Sequence, residues 1–293
     1  MWRFALRESG RFVLGLFGAL LMAAAIASLT SSSHGLIADL AAIVTRLFAF
    51  LRLDFGASAI SGADAAQELA AHAPVTLTLI FLGLALAIVL GAPFGLLLSS
   101  APVRRATAPV IQVVSAAPVF CAGLALAFVA RKFLGWAPGN GEFPPVQQVL
   151  HPDQSALRLV MMPALTVGLA GMAAIQVALR RSASEAQGEP FREGLRRLGL
   201  SALEIDRAYV APMVFAGLFQ SFGEVVAALL SAAVVSEWVF KCPGAADLFV
   251  KSVALHDWNV AALILFFFAS IVLFANFFGR LVSEAIVSVG RSA

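Results

Sequence analysis

Charge is the scarcest property of this sequence. Asp, Glu, Lys and Arg make up 13% of its 293 residues, while hydrophobic residues make up 60%. A soluble globular domain carries about 25% charged and about 45–50% apolar residues, so this composition excludes an ordinary soluble fold and indicates a polytopic membrane protein. Cysteine is nearly absent. Cys121 lies inside an apolar run and Cys242 beyond the end of another, so neither a disulfide framework nor a bridge between them is expected. The only lysines are Lys132, Lys241 and Lys251, and none follows glycine in the G-K-[ST] pattern that cradles nucleotide phosphates. ATP hydrolysis is therefore not expected of this chain. His34, His72, His151 and His256 are scattered outside the apolar runs, and no metal site is expected from them. No H-E-x-x-H or G-x-S-x-G occurs, and Asp54-Phe55-Gly56 lacks the other loops of a kinase, so no catalytic residue is assigned. A net charge of +3 and a pI near 9.3 need no nucleic acid, because membrane proteins gather basic residues on one side of the bilayer.

What is abundant is apolar sequence in runs of lipid-crossing length. A span needs about 20 mostly apolar residues. Six stretches qualify: Phe12–Leu29, Val75–Leu98, Ala108–Val129, Val160–Leu179, Val214–Val235 and Val260–Phe278. Backbone groups cannot go unpaired in lipid, so these are expected to be helices of a single all-α transmembrane domain covering residues 1–293. The first run follows Arg3, Arg7 and Arg11 as a signal peptide would, but it is long for one and reads as a retained span. Leu36–Leu53 is interrupted by Asp39, Arg46 and Arg52, with Leu36, Leu40, Ile43 and Leu47 at helical spacing. It reads as an amphipathic interfacial helix rather than a seventh span. With the N-terminus inside, thirteen basic residues fall on the cytoplasmic side and seven outside. The inverted arrangement strands a basic cluster, so both termini and the loop Arg180–Ala211 are expected in the cytoplasm.

That loop is the one long hydrophilic interruption, and it carries Arg180, Arg181, Arg192, Arg196, Arg197 and Arg207. Ser182 with Glu185 and Ser201 with Glu204 match the S-x-x-E capping box, which predicts two short helices broken near Gly199. Phe191, Leu195 and Leu198 fall on one helical face. Such a stripe either docks into a partner's groove or folds back on the chain's own helix ends.

Glu193-Gly194-Leu195, Gly199 at the following spacing, and Tyr209-x-Ala211-Pro212 resemble the cytoplasmic signature of ABC importer permeases, with Glu193, Gly199 and Pro212 matching. Further motifs resemble the dipeptide/oligopeptide/nickel branch of that family. They are Leu53-Asp54-Phe55-Gly56-x-Ser58 followed by Pro74-Val75-Thr76-Leu77, Gly91-Ala92-Pro93-Phe94-Gly95, Gly135-Trp136-x-Pro138 with Gly141, Pro163-Ala164-Leu165-Thr166, and Val234 to Phe240 followed by Pro243-Gly244. The motifs stand in order between Phe50 and Asn276. The chain departs from the pattern beyond Asn276, where Arg280 and Ser283 occupy the usual acidic and tyrosine positions.

The resemblance implies a six-helix permease of a bacterial inner membrane, forming half of a pore with a second, homologous permease. It implies two ATPase subunits that carry ATP and Mg, an extracytoplasmic solute-binding protein, and a surrounding of membrane lipid. Phe191, Glu193, Leu195, Leu198, Gly199 and Pro212 would form the ATPase-coupling element. Short peptides or peptide-like solutes would be the cargo, with nickel chelates, polyamines and antimicrobial peptides as alternatives. A self-sufficient secondary transporter or channel is the rival of another class, but it would show more polar residues at depth. Within the spans Glu224 is the lone charge. An acid at a helix centre costs about 2.5–3.5 kcal/mol, so it either lines a translocation path together with Gln220 or links subunits. Gln112, Gln176 and Asn276 read as interhelical hydrogen-bonding residues. Glu237, Trp238, Phe240, Pro243 and Gly244 form an outer hairpin, followed by a short helix over Ala245–Leu255. It reads as an outer gate or binding-protein contact, or as an interfacial aromatic belt.

Overall fold

The computed structural model describes residues 2–30, 36–97, 119–133, 135, 154–186 and 189–292. The described elements are helical. They are α1 (Trp2–Ala27), α2 (Leu36–Leu51), α3 (Ala65–Leu97), α4 (Val119–Phe133), α5 (Gln154–Ala186), α6 (Glu189–Arg197), α7 (Ala202–Ile205), α8 (Ala211–Gln220), α9 (Phe222–Phe240), α10 (Ala245–Ala254) and α11 (Trp258–Ser292). A π-helical turn, Asp206–Val210, joins α7 to α8. Five described segments are long and apolar enough to cross a membrane: Phe4–Ala27, Ala65–Val89, Leu159–Glu185, Phe222–Phe240 and Trp258–Ser288. The first half of the expected span Ala108–Val129 lies outside the described residues and its second half falls in α4; Gln112, Trp136, Pro138 and Gly141 also lie outside them. The amphipathic helix expected at Leu36 forms as α2.

The core is built where α3, α5, α9 and α11 converge. Leu79 and Ala87 of α3, Val167 and Ile175 of α5, Val225, Leu229 and Ala233 of α9, and Ala275 of α11 are buried together. Many of these residues are small. In lipid, helices associate through close packing rather than through expulsion of water, and small side chains permit the approach. Gln176 spans the α5–α3 seam and donates from Nε2 to the Gly91 carbonyl at 2.5 Å, an interhelical bond of the kind its position suggests. A second cluster (Ala23, Phe50, Phe55, Ala245, Val260 and Ile264) holds α1, α2, α10 and α11 together at the end of the bundle where α10 lies.

Two features differ from the sequence expectation. The fifth span is not one rod from Val214 to Val235. The helix breaks at Ser221, whose φ of −90° and ψ of 7° close α8 and start α9. Ser182 does not cap a helix either. It sits inside α5, donates back to the Ala178 carbonyl at 2.9 Å and is pressed against Gly217 of α8. Back-bonding of this kind competes with capping, and Arg181 with Glu185 supports continuation of α5 as an i,i+4 pair.

Candidate translocation face and coupling loop

The loop between α5 and α8 is ordered by its own residues. Ser201 and Glu204 form the expected capping box. The Glu204 carboxylate accepts from the Ser201 N–H at 2.8 Å and from its hydroxyl at 2.6 Å, and the Ser201 hydroxyl accepts from the Glu204 N–H at 3.3 Å. These bonds hold the Glu204 carboxyl below its ordinary range. α6 ends in a Schellman turn. Gly199 has a φ of +86°, its N–H donates to the Arg196 carbonyl at 2.9 Å, and the Leu200 N–H donates to the Leu195 carbonyl at 3.3 Å. Leu195 and Leu200 then pack on Ile205, Val210 and Val214.

The expected docking stripe is therefore divided. Leu195 faces inward onto its own loop, Leu198 is 79% exposed, and the side chain of Phe191 lies outside the described residues. Glu193 is exposed and pairs with Arg197 along α6 at 2.7 Å. Pro212 occupies the first turn of α8. Proline cannot donate, and its ring crowds the carbonyl one turn back. The wider π turn just before it, with the Ala211 N–H bonded to the Asp206 carbonyl, provides that room.

From this loop the chain runs through α8 directly into α9. Gln220 at the end of α8 and Glu224 in the first turn of α9 are both exposed. Glu224, Ser231 and Trp238 follow at intervals of seven residues and are the exposed positions of α9, so one face carries a carboxylate, a hydroxyl and an indole about 10 Å apart. Lys241 stacks its ammonium on the Trp238 ring at 5.0 Å. The sequence pattern singled out Glu224 and Trp238. Ser231, the middle member, was missed, although the seven-residue spacing marks it.

Glu224 lies in the first turn of α9 rather than at the centre of a helix running from Val214 to Val235. Arg280 of α11 pairs with Glu8 of α1 at 3.0 Å, and this ionic level marks one edge of the bundle. From Trp258 to Arg280 the α11 helix rises about 33 Å, close to the thickness of a hydrocarbon core. Gly223 lies against Asn276, about 6 Å inside the Arg280 level by helical rise. Glu224 thus stands about one turn from the Glu8–Arg280 pair, nearer that end of α9 than its middle.

The outer hairpin residues separate into buried and exposed sets. Trp238 is exposed, while Glu237 and Phe240 are buried. The Thr76 hydroxyl of α3 donates to Glu237 Oε1 at 2.6 Å, and the Asp247 N–H donates to Glu237 Oε2 at 2.8 Å. The Ala245 N–H donates to Thr76 Oγ1 at 2.8 Å. The carboxylate of α9 thereby caps the N-terminus of α10, where unpaired N–H groups favour negative charge. A Cβ on Gly244 would sit 2.2 Å from that carboxylate, so glycine is required there. Pro243 precedes it in the turn between α9 and α10. Cys242 is buried beside this node, and burial pushes its thiol up to about 12.

A parallel node joins the Leu53–Ser58 motif to the α10–α11 turn. The Ser58 hydroxyl donates to Asp257 Oδ2 at 2.5 Å, the Ala59 N–H donates to the same oxygen at 3.1 Å, and Asn259 Nδ2 donates to the Ala57 carbonyl at 2.9 Å. The Leu53–Ser58 motif was legible in the sequence, but nothing there paired it with Asp257 or Asn259. Glu8 was also missed, although a lone acid among Arg3, Arg7 and Arg11 was the available signal.

Helices of lipid-crossing length, joined by a basic loop ordered by its own residues, describe a polytopic membrane protein. Residues 83–288 match the family described as binding-protein-dependent transport system inner membrane component. The chain belongs to this family, and it is a multi-pass inner-membrane transport component. Among its relatives is the peptide transport system permease protein SapB of Salmonella typhimurium, 25% identical over 249 residues that cover 77% of each chain. The putrescine export system permease protein SapB of Escherichia coli K12 is 23% identical over 76% of each chain. The di/tripeptide transport system permease protein DppB of Pseudomonas aeruginosa is 27% identical over 55% of this chain and 52% of its own.

Proposed function

We propose that this chain is one permease half of an ATP-driven importer whose solutes are short peptides or peptide-like cations. In this reading Ala108–Val129 supplies a sixth span, and both termini and the loop Arg180–Ala211 lie in the cytoplasm. A second, similar permease completes the pore. Two ATPase subunits bring ATP and Mg and grip the loop, and an extracytoplasmic binding protein delivers the solute. The chain performs no covalent chemistry.

The observation that carries the reading is the direct path from the loop to the polar face. Leu198, Arg196 and Arg197 stand exposed at the end of α6, and α7, the π turn and α8 lead, across the single break at Ser221, to Glu224 in the first turn of α9. A displacement imposed on α6 by a partner passes along this helical run to the carboxylate. An exposed carboxylate near a membrane edge attracts ammonium groups, which peptides present at their amino ends. The name of the Escherichia coli relative supports a polyamine as a second cargo, and a diamine suits the same carboxylate.

The test is reconstitution in liposomes with the sister permease, the ATPase and the binding protein, followed by uptake of labelled tripeptides. ATP-dependent uptake is expected. Glu224→Gln should reduce uptake of lysine-containing tripeptides several-fold more than that of neutral ones. Uptake by this chain alone, without any ATPase, refutes the proposal.

A further inference from the structure

A slot of about 610 Å³ opens between α1, α9 and α11. Gly15, Gly18 and Met22 line it from α1, Ala227 and Ser231 from α9, and Ala269 and Leu273 from α11. The lining is almost wholly apolar. Gly18 is exposed, and nothing lies within 4 Å of where its Cβ would be.

One end of this slot is charged. On α1, Arg11 precedes Gly15, Gly18 and Met22 at steps of four, three and four residues, so it continues the same helical stripe. On α11, Arg280 stands seven residues beyond Leu273 and eleven beyond Ala269, again on one stripe. Arg11 and Arg280 both reach Glu8, at 2.6 and 3.0 Å, and Arg7 lies 3.8 Å from the same carboxylate. Among the described ion pairs these three guanidinium groups share the one carboxylate of Glu8. The side chains of Arg7, Arg11 and Arg280 are 62%, 56% and 42% exposed, and each guanidinium has more donors than Glu8 can accept. Glu224 stands one turn from Ala227, at the edge of the α9 wall. It turns any anionic head group toward the α1–α11 side.

We infer that this slot is a binding site for an anionic phospholipid, with an acyl chain along Gly15, Gly18 and Ala269 and the phosphate on Arg7, Arg11 and Arg280. An apolar channel between helices takes hydrocarbon readily, and a basic cluster at the end of such a channel selects the anionic head group. The arginine that departs from the family pattern thus has two partners, Glu8 and a lipid phosphate.

The test uses the assembled transporter in detergent, stripped of lipid and offered phosphatidylglycerol or phosphatidylcholine. Native mass spectrometry counts the retained lipid. Preferential retention of phosphatidylglycerol is expected, and Arg11→Gln should lower that preference about five-fold, the share of one surface arginine. Gly18→Leu fills the slot without touching the Glu8 cluster, and it should reduce retention while α1 stays docked. Equal retention of the two lipids overturns the inference. So does a cysteine at position 18 that cross-links to a helix of the sister permease, which would make the slot a protein interface. Solute transport is not read in this experiment, so its failure leaves the proposed cargo untouched.

Discussion

Glu237 shows how much of a side chain's role lies in partners that no local motif names. Its motif, near the outer end of an apolar run and followed by Pro243-Gly244, reads as an outer gate, a binding-protein contact or an aromatic belt. Its carboxylate is instead buried and spends its acceptors on Thr76 and the first N–H groups of α10. Glu237→Gln keeps the size but turns an NH₂ toward a backbone donor, which leaves a buried group unpaired and costs about 1–3 kcal/mol. Gly244→Ala forces a methyl into the space of the carboxylate. Both variants should lower the thermal midpoint of the purified complex, and Trp238→Ala, on the exposed side of the same turn, should not. A midpoint unchanged by Glu237→Gln would refute the capping role. The sequence revealed that the acid and the glycine were special. It did not reveal that Thr76, 161 residues away along the chain, completes the node, because pairing between distant helices leaves no local pattern.

At the scale of the element, the loop was legible wherever its logic is local. The Ser201–Glu204 box, the Gly199 turn and the proline at the start of α8 each depend on residues within five positions, and each formed as the spacing suggests. The failures are tertiary. Ser182 matched the capping pattern but met Gly217 of another helix, and the expected fifth span bends at Ser221 where α9 meets α11. The expected docking stripe is divided in the same way, because Leu195 found a cover in Ile205 and Val210 while Leu198 stays exposed. Leu198 and Leu195 therefore make separable predictions. Leu198→Asp should release the ATPase subunit from the purified complex while the loop keeps its resistance to trypsin. Leu195→Asp should expose the loop to trypsin first, since it removes the contact that folds α6 onto α7. Co-purification and limited proteolysis read the two effects independently. An ATPase retained by the Leu198→Asp variant would exclude α6 as the docking element.

For the whole molecule, the pairing of motifs organises both ends of the bundle. At one end Ser58 with Asp257, and Thr76 with Glu237 and Ala245, tie the loop before α3 and α3 itself to the two ends of α10. At the other, Glu8 ties α1 to α11 through Arg280. α5 and α9 pass between these ends, and the loop that joins them, with its six arginines, lies at the Glu8 end, where Ser182 touches Gly217. The excess of basic residues at that end supports the proposed cytoplasmic placement of the loop. A paired-cysteine experiment decides this orientation. With Cys121 changed to serine, Cys242 can remain, because its buried thiol, pushed up to about 12, stays protonated and silent toward maleimides near pH 7. Gly194→Cys and Leu255→Cys then report the two ends, since both positions are exposed. In spheroplasts a membrane-impermeant maleimide should label position 255 at once and position 194 only after the membrane is opened. Labelling of position 194 from outside would invert the molecule, placing the basic loop, and any ATPase bound to it, on the side of the membrane that has no ATP.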